Sequence, residues 1–189
     1  MWPSAYHPAG MLTLHDLGPQ LPELARRVLE SYLTTGLVPS IAPSDAPPAP
    51  VFVSLHDLAH GLRGCIGTLT AQRADVFEET AHNAVSAATR DPRFKPVTRK
   101  ELDRLVLDVT VLHPLEAIHS SKDLEPKRYG VVVRDSEGRQ GVLLPDLPGI
   151  DNIAEQVRIA KQKARIPENA EVQLLRFLAE RYAETDGIK

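Results

Sequence analysis

The chain has 189 residues, of which 42% are hydrophobic and 25% charged, so it is long and apolar enough to fold around a sizeable core as one compact unit. Its formal net charge of −3 provides no global attraction to nucleic acid or to an anionic membrane, and we expect neither DNA nor a membrane as a partner. A single cysteine excludes a disulfide within the chain, and the first residues lack a signal-peptide pattern, so we expect a cytoplasmic protein.

The N-terminal part contains one strong helix signal between two irregular segments. Residues 1–20 lack a periodic pattern and are predicted to form an irregular arm. Residues 21–35 carry apolar side chains at helical spacing, with Pro22 in the first turn and Gly36 after the last, which predicts a helix. Residues 39–50 contain five prolines and are predicted to form a loop.

A hairpin is predicted next, and it contains the only cysteine. Residues 51–55 and 62–69 are predicted to be its two strands, joined by a turn at 56–61. The second strand is the octapeptide Leu-Arg-Gly-Cys-Ile-Gly-Thr-Leu, in which Cys65 lies between two glycines. A glycine inside a strand indicates a bulge or a close approach of another backbone or a ligand.

The hairpin is followed by a helix and a strand. Residues 74–90 have an apolar helical face, and the helix is expected to stop before Pro92. Thr98 and Glu101 have the spacing of a capping box at the start of a short helix. Residues 105–112 alternate apolar and other side chains, which predicts a strand.

The C-terminal half repeats this order. A second hairpin is predicted from residues 129–134 and 139–144, followed by a helix at 151–164 with Asp151 as its N-cap. Residues 171–180 fit a strand in their first half and a helix in their second, and we prefer a strand. Because hairpin, helix and closing strand occur twice, the sequence predicts an α+β fold with an internally duplicated plan.

Four motifs follow one another along the chain: the octapeptide at 62–69, Asp-Pro-Arg-Phe at 91–94, Gly-Val-Leu-Leu-Pro at 141–145 and Lys-Ala-Arg-Ile at 163–166. In this order they resemble the AMMECR1 family, known in prokaryotes as AmmeMemoRadiSam system protein A. The resemblance covers residues 21–184 and leaves 185–189 as a tail. It implies a single α+β domain whose duplicated β/α repeats form a barrel-like, mostly antiparallel sheet with flanking helices. It also implies a Memo-like protein and a radical SAM protein as partners, but no settled activity.

The chain departs from the family pattern at two positions. Arg165 occupies a position where the family usually has glycine, and the second cysteine often found before it is absent, so a dithiol within one chain is excluded. Asp146 occupies a position where glutamine is usual, which replaces an amide by a carboxylate.

Cys65 is the candidate catalytic residue. We consider it a nucleophile or transient covalent carrier, activated by the neighbouring Arg63 and by His82 as a base. The alternative is an unreactive thiol that packs in the strand as a small hydrophobic side chain.

Arg63 and Arg93 are the best candidates for binding an anion, because a guanidinium can hold a carboxylate or phosphate through two hydrogen bonds. The alternative is an ion pair of either arginine with Asp91, Asp75 or Asp108. The remaining candidates for an anion or substrate site are Gly64, Gly67, Thr68 and Lys163.

No metal site or cofactor is predicted. His56, His60 and Cys65 are suitable zinc ligands, but the two histidines are expected in a solvated turn and lack the glutamate of a His-Glu-x-x-His site. Two function classes stay open. One is an enzyme or enzyme component acting on an unidentified small molecule or RNA, and the other is an adaptor that binds protein or RNA through the octapeptide.

Overall fold

The structure is a computed structural model that describes residues 13–42 and 44–184. Residues 1–12 of the predicted arm and the predicted tail at 185–189 lie outside the described residues. Among the described helices, none has both the length and the apolar character needed to cross a bilayer.

The described residues divide into two compact units. The first comprises residues up to Val111 and those from Glu180 onward, and the second is Leu112–Ala179. The helices in chain order are α1 (Leu14–Leu17), α2 (Leu21–Thr35), α3 (Val76–Thr89), α4 (Arg99–Leu102) and α5 (Ile153–Lys163). The strands are β1 (Val51–Asp57), β2 (Leu62–Gly67), β3 (Leu105–Leu112), β4 (Glu116–Ile118), β5 (Gly130–Arg134), β6 (Gln140–Leu143), β7 (Gln173–Phe177) and β8 (Ala179–Ala183).

Three helices of the first unit have well-defined caps, of which those at Gly36 and at Thr98 and Glu101 were predicted. Gly36 closes α2 in the left-handed region at φ 78°, and its N–H donates to the Tyr32 carbonyl at 2.8 Å. The Asp75 carboxylate caps α3 by accepting hydrogen bonds from two backbone N–H groups of the first turn. Thr98 and Glu101 form the predicted capping box of α4.

Two predictions at helix starts were wrong. The segment before α2 is not fully irregular, because Thr13 and Asp16 form a capping box that starts the four-residue helix α1. The N-cap of α5 is Asn152 and not Asp151, since the Asn152 Oδ1 accepts a hydrogen bond from the Glu155 N–H at 2.8 Å.

The first unit contains a sheet in the order β2-β1-β3-β8, and β1 is antiparallel to both of its neighbours. Val51, Val53 and Leu55 of β1 are fully buried in the hydrophobic core. Ser54 and His56 lie on the opposite face. Because β1 continues to Asp57, His56 belongs to the strand, and its predicted place in the turn was wrong.

The second unit repeats the arrangement of the first. Its sheet has the order β6-β5-β7-β4, whereas the first sheet has the order β2-β1-β3-β8. The hairpin β5-β6 therefore corresponds to β1-β2, the closing strand β7 to β3, and the edge strand β4 to β8. The preference for a strand over residues 171–180 was correct, since β7 takes the position of β3. The duplicated α+β plan with antiparallel pairing is confirmed, although the described strands form two four-stranded sheets and no closed barrel.

Each unit has a glycine where a helix touches the hairpin. A Cβ atom at Gly64 of β2 would lie 2.4 Å from the Ala87 carbonyl oxygen of α3. A Cβ atom at Gly141 of β6 would lie 2.0 Å from the Ala160 carbonyl oxygen of α5. Only glycine permits such an approach, so the helix backbone lies directly on the hairpin in both units.

Candidate functional site

Cys65 lies in the middle of β2 and is partly exposed. Its backbone N–H donates to Asp91 Oδ2 at 2.9 Å, and the hydroxyl of Ser54, its cross-strand partner, donates to Sγ at 3.5 Å. The first contact ties the strand to the segment after α3. The second provides a donor that favours negative charge on sulfur.

Arg93 is held next to Cys65 by Asp91. Its Nε and Nη2 donate to the two Asp91 carboxylate oxygens at 2.9 and 2.6 Å, and Nη2 also donates to the Cys65 carbonyl at 3.4 Å. The hydrogen bonds from Arg93 lower the pKa of Asp91 to about 2. Asp91, and then Cys65, raise the pKa of Arg93. A fixed cation therefore lies beside the strand segment that carries the thiol.

Arg63 is also bound to a carboxylate, but to one that the sequence did not indicate. Its Nε and Nη2 donate to Glu101, and Nη2 donates to the Lys95 carbonyl at 2.9 Å. The Arg63 guanidinium lies 5.7 Å from the Phe94 ring centroid, and that of Arg93 lies 5.4 Å from it. The two predicted anion-binding arginines are therefore brought to one aromatic ring, each held by its own acidic partner.

The other residues of the octapeptide have contacts that shape the hairpin. Gly67 leaves room for the Phe52 ring, which a Cβ atom would meet at 2.2 Å. Thr68 Oγ1 donates to Glu79 Oε1 at 2.6 Å, and this fully buried carboxylate also accepts hydrogen bonds from the N–H groups of Gln72 and Arg73. Thr68 and Glu79 thus anchor the loop that follows β2, while Gly64 admits α3.

The structure places the two remaining candidates elsewhere. His82 lies on α3, where its Nδ1 is 2.9 Å from Arg73 Nη2. Partial burial, followed by the charges of Arg73 and Arg90, lowers the pKa of His82, which disfavours the imidazolium form. Lys163 is exposed at the end of α5 and belongs to the second unit, whereas all other candidates belong to the first.

The sequence analysis missed a histidine–aspartate pair on the face of the sheet that carries Ser54. His56 Nε2 lies 2.9 Å from Asp108 Oδ2, and hydrogen bonding to Asp108 raises the pKa of His56. Asp108 is the cross-strand partner of Ser54 and also lies 3.9 Å from Arg181 Nε. The alternation of Val53, Ser54, Leu55 and His56 could have extended the predicted strand to the histidine.

No cluster of His, Cys, Asp and Glu side chains in residues 13–42 and 44–184 has an arrangement that could hold a metal ion. His60 is exposed in the turn between β1 and β2, at φ 64°.

The comparison with protein families decides which family this fold and site belong to. The AMMECR1 family model matches residues 22–182. The chain belongs to the AMMECR1 family. A relative from Thermotoga maritima is 45% identical over 166 aligned positions, and the match covers 84% of this chain and 94% of the relative. The crystal structure of the uncharacterized protein PH0010 from Pyrococcus horikoshii is similar to this fold, with a TM-score of 0.81 at 33% identity, and the match covers 89% of this chain and 92% of the neighbour.

Proposed function

We propose that this AMMECR1-family protein is an enzyme or enzyme component that uses Cys65 for covalent chemistry. The observation that supports the proposal is the Asp91–Arg93 pair, which holds a guanidinium 3.4 Å from the carbonyl of a partly exposed cysteine. The Arg93 charge favours the thiolate, which is the nucleophilic form, whereas the Asp91 carboxylate opposes it. The proposal therefore requires that the guanidinium acts on sulfur more strongly than the carboxylate does.

In the proposed reaction Cys65 first loses its proton to solvent. The thiolate sulfur then forms a bond with an electrophilic carbon of the substrate, and the leaving group departs with the electron pair of the broken bond. An acceptor subsequently takes the group from sulfur and restores the thiolate. Arg93 stabilises the thiolate, while Asp91 and Ser54 position it.

The proposed partners are a Memo-like protein and a radical SAM protein. Their support is membership of the AMMECR1 family, whose prokaryotic form carries the name of that system. With these partners the protein would supply a substrate-binding or group-carrying component of a larger reaction.

The proposal predicts an activated thiol. Iodoacetamide should alkylate wild-type Cys65 with an apparent pKa below the ordinary cysteine value of about 8.5. In Arg93→Gln the apparent pKa should return toward that value, and the rate at pH 7 should fall about three- to tenfold, since less thiolate is present. Mass spectrometry of the alkylated protein over a pH series measures both quantities.

The matched control is Arg27→Gln, which removes an exposed arginine of α2 whose ion pair among the described residues is with Glu23. This variant should retain the wild-type profile, and Cys65→Ser should take up no label. An ordinary thiol pKa in the wild type, unchanged in Arg93→Gln, would contradict the enzymatic proposal. It would favour the adaptor, for which Leu58 and Leu62, 54% and 40% exposed at the end of the hairpin, offer an apolar contact surface.

A further inference from the structure

The segment that follows α3 is strongly basic in a chain that is acidic overall. Residues 90–100 contain five basic side chains and a single acidic one, Asp91, against a net charge of −3 for the whole chain. Arg90, Lys95 and Lys100 are exposed, and none of the three forms an ion pair with a described residue. The segment therefore presents uncompensated positive charge to solvent.

This charge lies beside the thiol. The Asp91–Arg93 pair binds the backbone of Cys65 at both its N–H and its carbonyl, and Arg63 of β2 donates to the Lys95 carbonyl. β2 and the basic segment are thus joined by hydrogen bonds on both sides of Phe94.

The two guanidiniums against Phe94 each retain donors for a ligand. Arg63 uses Nε and Nη2 for Glu101 and the Lys95 carbonyl, and Arg93 uses Nε and Nη2 for Asp91 and the Cys65 carbonyl. In neither arginine does Nη1 form a hydrogen bond with a described residue. The carboxylates hold the guanidiniums in place, so little side-chain entropy is lost when a ligand binds.

Partial burial of His82 on α3, and after it the charges of Arg73 and Arg90, lower the pKa of this histidine. The direction of this shift agrees with positive charge near the end of α3.

We propose that the substrate of Cys65 is a small molecule with a phosphate or carboxylate group, and that Arg93, Arg63 and the basic segment 90–100 bind this oxyanion beside the thiol. The inference rests on the proposed function, because it assigns the oxyanion to the molecule that reacts at sulfur. An oxyanion accepting hydrogen bonds from the free Nη1 groups would place the rest of the ligand next to Cys65.

Two alkylating reagents of similar size but different charge test the inference. Iodoacetate carries a carboxylate and iodoacetamide does not. Both react with the same thiolate, so the rate with iodoacetate divided by the rate with iodoacetamide does not depend on the thiolate fraction and measures the local attraction for an anion. At constant ionic strength the ratio in Arg93→Gln and in the double variant Arg90→Gln/Lys95→Gln should fall at least about threefold from the wild-type value. The Arg27→Gln control should retain the wild-type ratio.

Direct binding provides a readout that needs no reactive thiol. Calorimetric titration of Cys65→Ser with inorganic phosphate and with succinate should give saturable binding, weakened about tenfold by Arg93→Gln, since one charge-assisted contact is lost. The stronger of the two ligands identifies the oxyanion class. Sodium chloride at equal ionic strength should produce no saturation.

The outcomes separate the two proposals. An activated thiol with equal reagent ratios in all variants and no saturable anion binding would overturn this inference and leave the thiol chemistry intact. Saturable phosphate binding with an ordinary thiol would overturn the thiol chemistry, and with it the assignment of the oxyanion to a substrate of Cys65, and would leave an oxyanion site alone. A third outcome is that a short RNA binds to the basic segment while phosphate and succinate do not, and that its affinity falls with added salt as expected for several phosphate contacts. That outcome would contradict the proposal of a small-molecule ligand.

Discussion

The cysteine at position 65 is defined by its neighbours more than by its own exposure. Its N–H and carbonyl are both engaged by the Asp91–Arg93 pair, and its sulfur receives the Ser54 hydroxyl. Any residue at this position of an edge strand needs partners for its N–H and carbonyl, so the contact that concerns the thiol itself is the Ser54 hydroxyl. That donor favours negative charge on sulfur.

His56 is a second residue whose protonation matters, and here the expected consequence is for stability. Its pKa is raised mainly by hydrogen bonding to Asp108, and the backbone of His60 acts in the same direction. Partial burial and the charge of Arg181 oppose the shift. A raised folded-state pKa means that folding and proton uptake by this histidine favour each other.

We therefore predict that His56→Gln destabilises the protein more in acid than in base. The contribution of His56 should be complete below pH 6.5, the ordinary histidine value, and should be lost as the pH rises through the folded-state pKa. The loss at pH 5.5 should be on the order of 1 kcal/mol, since the pair is partly exposed. Urea unfolding of wild type and variant at pH 5.5 and 8.5 measures the difference.

The exposed His119 provides the control, because His119→Gln should leave the wild-type pH dependence unchanged. A destabilisation by His56→Gln that is equal at both pH values would mean that the pair contributes packing and not charge.

At the scale of elements, the end of α5 contains a residue in an unfavourable conformation. Arg165 lies in the left-handed region at φ 55°. Its N–H donates to the Gln162 carbonyl at 3.0 Å, and the Ile166 N–H donates to the Lys161 carbonyl at 2.9 Å. These two bonds form a Schellman motif, in which glycine is the preferred residue at the position of Arg165.

Arg165→Gly should therefore stabilise the protein, by about 0.5–1 kcal/mol after the greater freedom of glycine in the unfolded chain is subtracted. Arg165→Ala retains the conformational cost and should bring no such gain, so it separates the backbone effect from loss of charge. Chemical denaturation of the three proteins measures the free energies. Equal stabilisation by both substitutions would point to charge instead.

The sequence predicted the elements well because their signals are local. The helical period of α2, the capping box of α4 and the alternation of β3 each lie within a few neighbouring residues, and the structure has all three. The candidate site depended on distant pairings. Arg63 meets Glu101 across 38 positions, and His56 meets Asp108 only because β1 and β3 are neighbours in the sheet. Local patterns contain no information about such partners.

At the scale of the whole molecule, the two units share a plan but not a chemistry. In the first sheet one transverse row runs from Cys65 through Ser54 to Asp108. The equivalent row of the second sheet contains Val142, Val132 and Leu175. The helix carbonyls that contact the hairpin glycines belong to Ala87 in the first unit and Ala160 in the second. Four positions further along the chain lie Asp91 and Ala164, respectively. At these equivalent positions the polar side chains thus occur in the first copy of the duplicated framework and apolar ones in the second.

This comparison predicts that a thiol moved to the second unit is ordinary. In the Cys65→Ser background, Val142→Cys should be alkylated with an apparent pKa at or above about 8.5, because apolar neighbours disfavour the thiolate. The same alkylation series that serves Cys65 measures it. If the two thiols had the same apparent pKa, the strand environment common to both units would explain the pKa of Cys65. Asp91 and Arg93 would then have no effect on it.

The contact at Gly64 also has a consequence for motion. No side chain separates the Ala87 carbonyl from β2, so the spacing between helix and strand is set by main-chain geometry and not by a rotamer. Main-chain torsions in regular elements change less readily than side-chain rotamers. Displacements of α3 and of the strand carrying Cys65 must then be correlated in time. The thiol and the C-terminal end of α3, which leads into the segment carrying Arg93, should therefore share one relaxation rate.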